Sequence, residues 1–84
     1  MIVQQEPEFK KAIKHIKDNA LKEKVKKQIK KIIENPEIGD FLGYEKRGER
    51  KIYIKPFRLL YYYNKQKEII TFINFKHRGK IYRK

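Results

Sequence analysis

The stretch KIYIKPFRLLYYYNKQKEIITFINF, residues 51–75, decides the fold. Lys51-Ile52-Tyr53-Ile54-Lys55 alternates polar and apolar residues, the period of a half-buried strand. Pro56 ends or bulges it, because proline cannot donate to a ladder. Phe57–Tyr63 reads as a second strand, Asn64–Lys67 as a turn, and Glu68–Phe75 as a third strand. The last two are almost continuously apolar, so both faces are covered or one lines a site.

Upstream the period is helical. Pro7 suits a first helical turn, where its missing N–H costs nothing. Phe9, Ala12, Ile13 and Ile16 follow at helical spacing. Asp18-Asn19 offers cap chemistry for a second helix. Its stripe is Leu21, Val25, Ile29, Ile32 and Ile33, and Asn35-Pro36 stops it. Met1–Gln5 reads as a short first strand, and residues 35–49, with three of the four glycines, as a loop. The expected fold is α+β: an N-terminal strand and a two-helix antiparallel hairpin on one face of a mostly antiparallel sheet of three to four strands. Residues 1–84 make one domain, since the chain is too short for a second.

Composition narrows the chemistry. The chain has 23 Lys or Arg, 10 Asp or Glu, no Cys and no Ser, and only two His, His15 and His77. No hydroxyl or thiol triad is available, Thr71 lying within an apolar run. Two His without Cys leave too few ligands for zinc, and the scattered glycines form no phosphate loop, so neither metal nor cofactor is expected. No segment approaches the ~20 apolar residues of a membrane-spanning helix. MIVQQEPEFKK lacks the basic and apolar regions of a secretory signal, so a cytoplasmic location is expected.

The net charge of +13 is concentrated late in the chain: from Arg50 onward there are 11 Lys or Arg and one acid, Glu68. Such self-repulsion is relieved by an anion, which points to nucleic acid. Alternation places Lys51, Tyr53 and Lys55 on one face of their strand, Arg58 with Leu60 and Tyr62, and Lys76 with Asn74 and Phe72. Strand register decides whether the three sets share a side. Cleavage of RNA needs no protein nucleophile, since the 2′-OH attacks the phosphate. The protein supplies base, acid and positive charge. Arg58, in an apolar strand, seeks an anion. His15 reads as a surface or hydrogen-bonded residue, whereas His77 lies among basic neighbours. The three consecutive tyrosines from Tyr61 read as sheet packing ahead of a base-stacking platform.

Three segments carry a family resemblance: ENPEIGDFLGYEKRGERKIYI (34–54), FRLLYYYNKQKEIITF (57–72) and FKHRGKIYRK (75–84). A glycine-bearing loop, an aromatic-Arg strand and a closing His-Arg-x-x-x-Tyr, in this order, resemble the RelE/ParE toxin superfamily, and most closely its RelE-type messenger-RNA endonucleases. The resemblance implies a toxin silenced by a RelB-like antitoxin in a hetero-oligomer, acting as a metal-independent endoribonuclease on mRNA in the ribosomal decoding site. It assigns Arg58 to the transition-state phosphate, Tyr82 to the substrate nucleotide and Lys51 to the family's basic strand position. Lys76 and Arg78 match its C-terminal arginines, and His77 an acid or base of some members.

Tyr53, Lys55 and Arg83 complete the expected RNA-binding set. Tyr53 stands where one pattern has a second lysine, and Lys76 lacks the planar fork of arginine. The general base is left open among Lys51, Tyr53, Lys55 and His77. ParE-type relatives share the fold but inhibit DNA gyrase, so a non-nuclease toxin is one alternative. A non-catalytic RNA- or ribosome-binding module is another.

Overall fold

The computed structural model describes residues 1–42 and 48–77. In chain order its elements are β1 (Ile2–Gln5), α1 (Pro7–Lys14), α2 (Asn19–Glu34), β2 (Asp40–Phe41), β3 (Glu49–Ile54), β4 (Phe57–Asn64) and β5 (Ile69–His77). They form one sheet in the order β1-β5-β4-β3-β2, with β1 parallel to β5 and every other pair antiparallel. The fold is thus the expected α+β arrangement with five strands rather than three or four. The added strand, β2, lies within the segment read as a loop. Its two residues, paired with Lys51 and Arg50, are too few to show a period.

The helices start where their caps dictate. Pro7 opens α1, and the Asp18 carboxylate accepts the Ala20 N–H at 2.9 Å at the start of α2. Asn35 closes α2, its N–H donating to the Lys31 carbonyl. His15 Nδ1 lies 2.7 Å from the Lys11 carbonyl and closes α1. None of the described helices is long and apolar enough to cross a membrane.

One core joins helices and sheet. Phe9 and Ile16, Val25 and Ile32 of α2, Ile54, Leu59, Tyr61, Ile70, Phe72 and Phe75 are buried together. Phe9 stacks on Phe72 at 5.2 Å between centroids, and Phe57 on Phe75 at 4.8 Å. Truncating a buried aromatic of this kind costs about 3–5 kcal/mol.

A bulge modifies the expected alternation. Leu60 pairs with Asn74, but Tyr61 pairs with Phe72, so Ile73 is the extra residue on β5. Phe72 therefore turns into the core with Phe75 and does not share a face with Asn74 and Lys76. The sequence-based grouping is corrected at that one position.

A polar latch ties the segment after α2 to the sheet. The buried Tyr61 phenol donates to the Pro36 carbonyl at 2.8 Å and accepts the Gly39 N–H at 2.9 Å. A Cβ on Gly39 would lie 2.8 Å from the Tyr61 oxygen and 2.9 Å from the Lys51 carbonyl, so only glycine fits. Arg50 completes the latch. Its Nη1 donates to the carbonyls of Glu37 and Gly39, and its guanidinium stacks 4.0 Å from the Phe41 ring centroid.

Candidate functional site: the open face of the sheet

Leu59 and Tyr61 face the helices, so Arg58, Leu60 and Tyr62 face the other way. Register carries this face across three strands. Tyr53 pairs with Arg58 and Arg58 with Lys76, one row. Lys51 pairs with Leu60 and Leu60 with Asn74, the row beside it. The register that sequence alone left open thus brings Lys51, Tyr53, Arg58 and Lys76 together.

Tyr53 is the hub of this cluster. Its ring lies 5.3 Å from Lys51 Nζ and 5.2 Å from Arg58 Cζ. Arg58 Nη2 donates to the Tyr53 hydroxyl at 3.1 Å. Two cations held to one ring repel each other, and Lys76 stands across the strand from Arg58. An anion above the row relieves that repulsion. The phenol directs the guanidinium, a fork whose parallel N–H donors match the geometry of a phosphate. Tyr53 remains 45% exposed, leaving its ring open to a ligand.

Two expected members lie elsewhere. Lys55 sits in the two-residue turn between β3 and β4, past the end of the alternating face, where the Lys55–Pro56 peptide bond is cis. It lines a groove against α2 with Lys24, Lys27 and Lys31. His77 pairs with Phe57 and meets its ring edge-on at 5.2 Å. Both border a cleft of about 580 Å³ that His15 also lines, on the helix side of the sheet. His77 therefore lies on the opposite face from Arg58. Arg78, Tyr82 and Arg83 lie outside the described residues.

The sequence reading missed Glu49. Taken for the end of a loop, it is the first residue of β3 and shares the face of Lys51 and Tyr53. It stands four residues from Tyr53, about 13 Å along the strand. The signal that finds it is the same two-residue period, extended backward from Lys51. Among the described residues no group of three or more His, Asp or Glu is placed to hold a metal ion.

Comparison with known proteins agrees with this architecture. The model of the ParE toxin of type II toxin–antitoxin systems, parDE, matches residues 3–82. No curated protein matches the sequence. Among solved structures, RelE in the intact Escherichia coli RelBE toxin–antitoxin complex superposes with a TM-score of 0.77 at 19% identity, over 90% of this chain and 94% of that one. The archaeal RelE–RelB complex from Pyrococcus horikoshii gives 0.75 at 19% identity, over 94% and 96%. YafQ from E. coli strain BL21(DE3) gives 0.76 at 15% identity, over 96% and 97%. The matched fold and the family model, which spans almost the whole sequence, lead to one conclusion: this chain belongs to the ParE toxin family, within the RelE/ParE superfamily of type II toxin–antitoxin systems.

Proposed function

We propose that the protein is a ribosome-dependent mRNA endonuclease. The observation that carries this reading is the Tyr53–Arg58–Lys76 row with Lys51 beside it. These side chains supply positive charge and a phenol where a scissile phosphate would lie, rather than the clustered carboxylates of two-metal hydrolysis. The matching chemistry is attack by the RNA's own 2′-OH. The O2′–P bond forms as the P–O5′ bond breaks, leaving a 2′,3′-cyclic phosphate and a 5′-hydroxyl. Arg58 and Lys76 stabilise the charge developing on the phosphoryl oxygens, and Tyr53 positions Arg58.

Of the four base candidates, Tyr53 lies in this row and Lys51 beside it on the same face, whereas Lys55 and His77 lie elsewhere. The 2′-OH proton passes to a base on this face, and Lys51 adds to the field over the phosphate. The family resemblance adds Tyr82 for the substrate nucleotide and Arg78 and Arg83 for RNA binding. His77, on the far side of β5, serves packing against Phe57 rather than proton transfer. The partners are mRNA in the ribosome and a co-encoded RelB-like antitoxin, with which the toxin forms a hetero-oligomer in the cytoplasm. Support for an antitoxin comes from relatives solved as RelB–RelE complexes.

The family-model match favours a second reading, inhibition of DNA gyrase without nuclease activity. Parallel assays separate the two. The endonuclease cuts mRNA on translating ribosomes and leaves gyrase supercoiling unchanged. Blocked supercoiling with intact mRNA establishes the gyrase reading instead.

A further inference from the structure

A second basic surface adjoins the sheet face. On α2, Lys24, Lys27 and Lys31 recur at i, i+3 and i+7, which places them on one stripe about 10 Å long. All three are exposed. With Gln28 they form one wall of a groove of about 280 Å³, whose other wall is Tyr53, Ile54 and Lys55. Tyr53 thus belongs to both surfaces. Its ring meets Lys51 and Arg58 on the open face, and its residue borders the α2 groove. The ion pairs within 4 Å among the described residues are Lys26–Glu23 and Lys65–Glu37, and none of the three stripe lysines takes part. A solvated helix face ordinarily mixes the two signs. This groove is lined by four lysines and no acid.

We propose that this groove holds the sugar–phosphate backbone of the RNA strand flanking the scissile nucleotide. The strand leaves the Arg58–Lys76 row over the Tyr53 ring and turns round the end of β3 that extends past its pairing with β2, where Lys55, Lys24, Lys27 and Lys31 meet successive phosphates. Flexible ammonium groups suit contacts that hold a backbone without reading its bases. The inference rests on RNA being the ligand of the sheet face, but its test reads binding and not cleavage.

The probes are fluorescent single-stranded RNAs of about 4 and about 12 nucleotides, titrated by anisotropy over a range of salt concentrations. The test variant is K24Q/K27Q/K31Q, and the control is K10Q/K14Q/K67Q, which removes equal charge elsewhere. Circular dichroism verifies that both fold. Loss of three phosphate contacts lowers the log–log salt slope for the longer RNA by about 2, and its affinity about a hundredfold near 0.1 M salt. The control variant and the shorter RNA show little change. Equal losses in both variants would overturn the proposal, the attraction then being a diffuse field. So would an unchanged slope in the test variant, including the case where it loses only antitoxin binding. If the predicted slopes appear but ribosome-bound mRNA is not cut, the endonuclease reading fails and the groove assignment stands.

Discussion

Arg58 Nη2 donates to the Tyr53 hydroxyl at 3.1 Å across the β3–β4 pair, while the guanidinium also lies 5.2 Å from the Tyr53 ring centroid. One phenol therefore gives the arginine both a direction and an electrostatic support. The two contacts are separable by substitution. Tyr53→Phe keeps the ring and removes the hydroxyl, so cleavage falls only about fivefold, the equivalent of about 1 kcal/mol. Arg58→Ala removes the charge itself and lowers the single-turnover rate about 10²–10³-fold with the fold intact. Arg58→Lys recovers only part of that loss, since an ammonium lacks the fork.

His77 offers a contrasting case. It sits among basic residues in the sequence, but its ring meets Phe57 at 5.2 Å, on the face turned from Arg58. His77→Gln is expected to lower cleavage less than tenfold. A loss as large as that of Arg58→Ala, measured under the same single-turnover conditions, would return His77 to the reacting groups.

How much of this was legible beforehand follows from the kind of signal each feature leaves. The helices were, because Pro7, Asp18 and Asn35 mark their ends and the stripe from Leu21 to Ile33 spans three turns. Arg58 stood out as a candidate, because a guanidinium within an apolar strand seeks an anion. The register was not: nothing local states that Tyr53 faces Arg58 and Arg58 faces Lys76. Nor does anything local mark Ile73 as the extra residue of a bulge, yet it turns Phe72 from the open face into the core. β2 left no trace because its pairing comes from the Tyr61 and Arg50 latch, built by residues nine or more positions away.

That latch gives a pH prediction. Burial raises the Tyr61 phenol above its ordinary pKa of 10.0, and the Asp40 charge acts the same way. The Gly39 N–H and the Arg50 charge oppose them. The fold thus holds a proton that the unfolded chain releases. This contribution is whole below the unfolded pKa and is lost as pH rises through the higher folded value. In urea titrations, Tyr61→Phe is expected to cost about 1–3 kcal/mol at neutral pH, because Pro36 and Gly39 lose their partner. The gap from wild type should narrow as pH climbs above 10.0. A gap that widens there would contradict the assignment.

Gly39 tests the same latch sterically. A Cβ would stand 2.9 Å from the Lys51 carbonyl and 2.8 Å from the Tyr61 oxygen, both held in the sheet. Gly39→Ala should lower stability by about 1–3 kcal/mol, as overpacking does. Hydrogen exchange should rise at Lys51, which pairs with Asp40, and stay unchanged at Phe9. Uniform loss of protection across the sheet would show that the latch has no local role.

The central claim is that the open face promotes attack by the RNA's own 2′-OH. The most direct measurement is single-turnover cleavage of ribosome-bound mRNA, in which one sample carries a 2′-deoxy nucleotide at the cleavage position. The account predicts fragments ending in a 2′,3′-cyclic phosphate from the all-ribose mRNA and none from the deoxy-substituted one. Equal cleavage of both, or no cleavage of either by the wild-type protein, would contradict it.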